Sequence, residues 1–257
     1  MTTKYTVTKS SNVKAESKTI MQKLQNIQSN KHLIKRTKEQ KKTTSDQWIT
    51  RHLNDPFVQA SKIDGFVSRA AYKLVEMNEK YKLFSPGSSV LDIGCAPGSW
   101  LQVIWMAIKS KDATLIGVDL LPIDLDVIGE FLSSYNKNVH ILEGDFLSQE
   151  IQDKILAKLC DEKVCCIVSD MAPNTTGIKK VDHLKMMEMV KNLVDFMYKN
   201  LANKGNFITK IFDGTETKEL IIELKQYFNK VLLYKPMASR SKSSEIYLIA
   251  TGFTAHS

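Results

Sequence analysis

From residue 88 to the end of the chain, short apolar runs alternate with segments whose apolar positions recur at helical spacing. The runs Ser89–Ile93, Thr114–Asp119, Val139–Glu143, Val164–Ser169, Phe207–Phe212, Lys230–Tyr234 and Glu245–Thr251 have the length of strands. Helical patterns lie between them at about 100–109, 124–135, 149–160, 182–202 and 216–228. Strands that are apolar throughout, rather than at every second position, belong to a sheet covered on both faces, and the intervening helices make their pairing mainly parallel. The pattern therefore predicts an α/β fold. Only the sixth and seventh strands follow each other without a helix; Lys235–Ser244 is too short for a right-handed crossover, so the seventh strand is expected to run antiparallel. Ahead of the sheet, apolar residues at 67, 70, 71, 74 and 75 mark a further helix, with Ser68 as a cap and Lys73 on its polar side.

The first strand runs into Asp92-Ile93-Gly94-Cys95-Ala96-Pro97-Gly98-Ser99-Trp100, which reads as a strand end, a tight turn and a helix start. Gly94 and Gly98 remove side chains where a ligand must approach the backbone, and the helix that opens there offers unpaired N–H donors. An acidic residue at the end of the next strand suits ribose hydroxyls, and Asp119 has that place. This is a nucleotide-type ligand site. A hydride-transferring dehydrogenase would need a G-x-G-x-x-G turn, where this chain has Cys95 and Ala96 in the middle.

Charge divides the chain. Residues 1–45 hold 11 Lys/Arg against 2 Asp/Glu, a surplus of nine, which leaves 25 basic and 26 acidic residues for 46–257. A basic leader rich in Ser, Thr, Gln and Asn and poor in aromatics is expected to be largely disordered, ahead of one domain at 46–257. Within it Ile20, Met21, Leu24 and Ile27 recur at helical spacing and would form a basic amphipathic helix on a partner. The leader suits either a mitochondrial address or an RNA grip; lysine stands where targeting segments usually carry arginine, yet the mitochondrial reading is the one adopted. No run approaches the roughly 20 apolar residues that cross a bilayer, so no membrane partner is expected. Cys95, Cys160, Cys165 and Cys166 form no C-x-x-C pair and have no matching histidines, which favours reduced thiols over zinc or disulfides.

Ligands of open α/β sheets sit outside the carboxyl ends of the strands, so polar residues there carry the chemistry. Asp170 follows Val164–Ser169, Lys210 interrupts the apolar run Phe207–Phe212, and Glu245 opens the last strand. Taken alone, Lys210 and Glu245 are explained equally well as a structural ion pair. Taken with Ser68-Arg69-Ala70-Ala71-Tyr72-Lys73-Leu74, the Asp92–Trp100 turn, Ser169-Asp170-Met171-Ala172-Pro173-Asn174, and Lys235-Pro236 through Ala238-Ser239-Arg240 to Ser244-Glu245-Ile246-Tyr247, they form a pattern that closely resembles the FtsJ (RrmJ, RlmE) family of S-adenosylmethionine-dependent RNA 2′-O-ribose methyltransferases. The resemblance spans about residues 46–253.

It implies a Rossmann-like class I methyltransferase sheet of order 3-2-1-4-5-7-6 and a catalytic tetrad of Lys73, Asp170, Lys210 and Glu245. It also implies S-adenosylmethionine as cofactor, without a metal. Gly94 from the turn joins Gly98, Trp100, Asp119, Asp145 and Asp170 as cofactor contacts, with Asp119 toward the ribose and Asp145 toward the adenine. Ser99 departs from the second glycine typical of bacterial members. A ribose hydroxyl is a poor nucleophile, so the protein has to orient it and take its proton; a lysine does so only if its pKa falls from about 10.4 toward neutrality, for which a second ammonium is suited. Lys210 is thus the expected base, Lys73 its neighbour, and Asp170 and Glu245 the groups that position both. A basic rim of Arg69, Lys235, Arg240 and Lys242 is expected to meet RNA. The implied partner is ribosomal RNA or the pre-ribosomal large subunit, the acceptor a uridine, and the working form a monomer; a tRNA anticodon-loop enzyme and a ribosome-assembly factor are the alternatives.

Overall fold

The computed structural model describes residues 16–29, 54–110, 112–124, 128, 138–160, 162–240 and 243–254, with side chains from residue 22 onward. Strands β1 (Ser89–Ile93), β2 (Thr114–Asp119), β3 (Val139–Glu143), β4 (Val164–Ser169), β5 (Leu201–Phe212), β6 (Phe228–Tyr234) and β7 (Glu245–Phe253) build one seven-stranded sheet of order β3-β2-β1-β4-β5-β7-β6. β7 is antiparallel to both neighbours, and the other pairings are parallel. That is the order and polarity the resemblance implies. The central strands β1 and β4 are buried nearly throughout, as apolar runs without alternation require.

Helices cover both faces. On one face α5 (Gln149–Leu159), α6 (Lys179–Asn200) and α7 (Thr217–Leu224) pack residues such as Ile155, Met186, Val190, Met197 and Leu220 on Leu91, Ile167 and Phe207. On the other, α3 (Ala71–Tyr81) and α4 (Ser99–Ile108) bury Leu74, Met77, Leu101 and Ile104 against Val90, Val168, Ile208 and Tyr247. A short helix, α2 (Pro56–Asp64), opens on Asp55, whose carboxylate accepts from the Phe57 N–H at 3.0 Å, with Pro56 in the first turn. The helical pattern at 124–135 lies almost wholly outside the described residues, as do residues 30–53 and Lys242.

Two local expectations differ. β5 starts at Leu201, directly after the last residue of α6, and a register shift opposite Val164 and Cys166 absorbs the extra residues up to Asn206, where a helix was predicted to run to 202. Ser68 does not cap α3; its hydroxyl accepts from the Ala70 N–H at 3.2 Å and donates to Ser99 Oγ at 3.0 Å.

The leader, expected to be largely disordered, contains α1 (Glu16–Ser29), and this helix is docked. Leu24 is 1% exposed and packs with Phe57, Tyr72 and Ala238, while Ile27 lies against the same cluster. Lys23 pairs with Asp64 at 2.6 Å, and Asp64 also accepts from the Tyr72 hydroxyl at 2.5 Å. The amphipathic face predicted for a partner has found one in its own domain, where burying one leucine contributes about 1.5–3 kcal/mol.

Candidate active site

Sheet register brings the first two site residues together. Ser169 pairs with Thr209, so the next residues, Asp170 and Lys210, emerge side by side at the carboxyl edge. Lys210 Nζ lies 3.1 Å from Asp170 Oδ1 and also donates to the Asp170 carbonyl oxygen. Across the antiparallel pairing Lys210 faces Tyr247, and side-chain alternation puts Glu245 on the same face of β7 as Tyr247. Lys73 enters from the first turn of α3. Its Nζ is 2.7 Å from Glu245 Oε1, 3.0 Å from the Tyr247 hydroxyl and 3.9 Å from Asp170 Oδ2.

The structure thus brings Lys73, Asp170, Lys210 and Glu245 into one network, and places at its centre a residue that sequence reasoning missed. The Tyr247 hydroxyl donates to Asp170 Oδ1 at 2.6 Å and accepts from Lys73. Its ring is fully buried beside Trp100, with centroids 5.8 Å apart. Burial, then the negative charges of Asp170 and Glu245, push this phenol far above its usual range, so it acts as a neutral donor. Burial alone would raise the Asp170 carboxyl; Lys210, Lys73 and the Tyr247 hydrogen bond outweigh it and hold the group below the ordinary aspartate value.

Asp170 also borders a cavity of about 220 Å³ lined by Gly94, Asp119, Leu120, Asp145, Phe146, Leu147 and Met171. The Asp119 carboxylate accepts from the N–H groups of Ala96 and Leu121, each at 2.9 Å, and Asp145 accepts from Leu147 N–H at 2.9 Å. These bonds shape the loops and leave carboxylate lone pairs for a ligand's hydroxyl or amine groups. Leu120 and Leu147, 67% and 43% exposed, offer apolar surface at the rim. Carboxylates beside apolar surface suit a cofactor with a flat base, ribose hydroxyls and a cationic sulfonium, so the residues present fit S-adenosylmethionine.

The turn glycines are also required by the protein's own packing. A Cβ on Gly94 (φ 80°) would stand 2.7 Å from Met171 Cγ and 2.9 Å from its backbone nitrogen; on Gly98 (φ 105°) it would meet Ile128 at 2.8 Å. Both positions are closed to side chains by the protein itself. Gly94 lines the cavity, whereas Gly98 and Trp100 lie outside its lining; Trp100 is buried with its indole N–H donating to Ala70 O at 3.0 Å. Beneath the turn, Asp92 is fully buried, and among the described residues neither carboxylate oxygen has a hydrogen-bond partner. Burial, Asp170 and Asp119 raise its carboxyl well above the usual range.

The basic rim is only partly as expected. Arg69 is paired internally with Asp55, donates to Ala238 O and lies over the Phe57 ring at 5.7 Å. Burial, then the nearby Arg240 charge, lower its pKa to about 10, against an opposing effect of Glu245. Its charge is spent within the protein, on a carboxylate and a carbonyl that lie on segments distant in sequence. Arg240 and Lys235 are exposed, although Lys235 also donates to Ser243 O at 2.8 Å.

A family model described as FtsJ-like methyltransferase matches residues 66–253. The chain belongs to the FtsJ-like methyltransferase family. It is 40% identical over 224 residues to a ribosomal RNA large subunit methyltransferase E of Gluconobacter oxydans (strain 621H), covering 87% of this chain and 78% of that one. With the protein of that name from Coxiella burnetii (strain CbuK_Q154) it shares 41% over 220 residues, covering 83% and 98%. A crystal structure of a ribosomal RNA methyltransferase from Plasmodium falciparum superposes with a TM-score of 0.63 at 33% identity, over 74% of this chain and all of that one. Family membership implies S-adenosylmethionine as the methyl source.

Proposed function

We propose that this FtsJ-like methyltransferase moves a methyl group from S-adenosylmethionine to a ribose 2′-hydroxyl of large-subunit ribosomal RNA, with a uridine as acceptor. The observation that carries the reading is the Lys210–Asp170–Tyr247–Lys73–Glu245 network, joined through Asp170 to the cofactor cavity. The relatives' names support ribosomal RNA over tRNA as substrate. S-adenosylmethionine, when bound, supplies a methyl already activated by the sulfonium charge. What remains for the protein is to orient the acceptor in line and accept one proton.

Lys210 takes that proton at Nζ. Asp170, ionised throughout the neutral range, fixes the Lys210 amine and steadies the ammonium that results. Lys73, held between Glu245 and Tyr247, supplies positive charge beside the hydroxyl as its proton leaves. No step in this proposal uses a metal, and a monomer as the working form belongs to the same proposal. RNA phosphates meet the exposed Lys235 and Arg240. Lys210→Ala should bind S-adenosylmethionine with ordinary affinity and transfer no methyl; ordinary activity would overturn the assignment. Mapping 2′-O-methyl sites in ribosomal RNA and tRNA after depletion identifies the acceptor.

A mitochondrial address in the leader is part of the same proposal. Because α1 is docked, the address has to lie ahead of Glu16 if the packed helix is retained. Residues 1–45 fused to a fluorescent reporter test it: a diffuse cytosolic or nuclear signal rejects mitochondrial import.

A further inference from the structure

Glu76 is an acidic residue with 1% exposure, one helical turn after Lys73 on α3, and the chemistry described above makes no use of it. Three donors surround its carboxylate: the Tyr234 hydroxyl at the end of β6, the Met237 N–H at 2.8 Å and the Ala238 N–H. Two of these are main-chain groups of the connection between β6 and β7. From the other side, Arg69 donates to the carbonyl oxygen of the same Ala238 and is itself anchored on Asp55. A negative and a positive side chain flanking Lys73 in sequence thus grip main-chain groups around Ala238, a buried point of this loop. Ala238 is fully buried, with Leu24 of α1 in the cluster around it.

The loop leads directly to the site. Ser239 donates to Glu245 Oε1 at 3.2 Å, and the same oxygen receives Lys73 Nζ at 2.7 Å. We infer that Glu76, with Arg69, is a positioning clamp: it sets the β6–β7 connection so that Ser239 and Glu245 meet Lys73 in register. The segment that carries Lys73 then also fixes the loop that holds its partner, so neither shifts without the other. A buried carboxylate is costly unless its lone pairs are filled, and its three donors are what make this one tolerable. Burial raises the Glu76 carboxyl above its usual value against the opposing effects of Tyr234, Met237, Lys80 and Ala238, as expected of a group kept for geometry rather than solvation.

The inference rests on the methyl-transfer reading, and the experiment separates the two. With the full chain, the rate of methyl transfer is measured per cofactor-binding site counted by calorimetry, so that unfolded protein does not enter the rate. A displacement of about 1 Å in a catalytic constellation costs on the order of a hundredfold, so Glu76→Gln should lose roughly ten- to a hundredfold in kcat with the S-adenosylmethionine Kd within about twofold of wild type. Tyr234→Phe, which removes one donor only, should lose less, and it decides the question if Glu76→Gln does not fold. On a Glu245→Ala background Glu76→Gln should add little, because the residue it positions is gone. Unchanged rates per site in the single variants, or fully additive losses in the double variant, overturn the clamp. A wild-type protein that methylates no RNA instead overturns the function on which it rests.

Discussion

Replacing Tyr247 with phenylalanine removes one oxygen from the centre of the site and little else. The ring keeps its place beside Trp100 and within the buried cluster over β5 and β7. What is lost is the 2.6 Å bond to Asp170 Oδ1 and the 3.0 Å bond from Lys73. Both partners are charged, and hydrogen bonds to charged groups are worth about 1.5–3 kcal/mol net. Asp170 keeps Lys210 at 3.1 Å and Lys73 keeps Glu245 at 2.7 Å, so neither charge is stranded and the two losses do not add in full. If the remaining 1.5–3 kcal/mol is felt in the transition state, kcat falls about ten- to a hundredfold at roughly 1.4 kcal/mol per decade. Asp170 supplies a second readout. Its native pKa is depressed, so its stabilisation is present above the unfolded aspartate value of about 3.9 and is lost as pH falls through the native value. Without the Tyr247 bond the native value rises toward the unfolded one, so the variant should unfold at higher pH on acid titration. Transfer of a radiolabelled methyl to RNA gives kcat, and circular dichroism against pH gives the acid midpoint. A kcat within twofold of wild type together with an unchanged midpoint would refute the role assigned to the hydroxyl.

Asp92 titrates with the opposite sign. Its native pKa is raised, so between the unfolded value of about 3.9 and the native value the folded state holds the extra proton, and stability falls as pH rises through that window. Asp92→Asn should flatten this slope in denaturant titrations from pH 4 to 8; an unaltered slope shows that Asp92 is ionised in the native state. Arg240→Glu should weaken RNA binding and reduce its salt dependence by about one counterion or more, without altering S-adenosylmethionine affinity. Equal binding at every salt concentration would remove Arg240 from the RNA surface.

Sequence legibility followed a physical rule. A polar residue that interrupts an apolar strand, or directly follows one, announces itself: Lys210 inside Phe207–Phe212 and Asp170 after Val164–Ser169 stood out because a charge in a buried sheet needs a partner, and the surrounding motifs favoured a catalytic role over a structural ion pair. The parallel register then delivered the two side by side. Tyr247 gave no such signal, since an aromatic residue in an apolar strand is what strand propensity expects, and its hydroxyl is meaningful only beside Asp170. Its one trace was the spacing of two from Glu245, which strand alternation turns into a shared face. Leu201 to Asn206 misled for a related reason: an apolar residue following a long amphipathic helix extends the helical period, and only pairing with Val164 makes it strand.

Charge was legible as charge but not as destination. Arg69 and the leader lysines are equally basic in the sequence, and both suggested RNA. In the fold Arg69 is claimed by Asp55 and the Ala238 carbonyl, and Lys23 by Asp64, through contacts that pattern and local spacing cannot anticipate. Glu76 is the sharper case, because on a helix with Lys73 and Lys80 it reads as one more solvated charge, yet it is buried to 1%. Apart from the Tyr234 hydroxyl, its partners are main-chain N–H groups, which every non-proline residue carries and no sequence pattern marks. A catalytic group that interrupts an apolar pattern can therefore be found from sequence, while the groups that hold it in place through backbone contacts emerge only when the chain is folded.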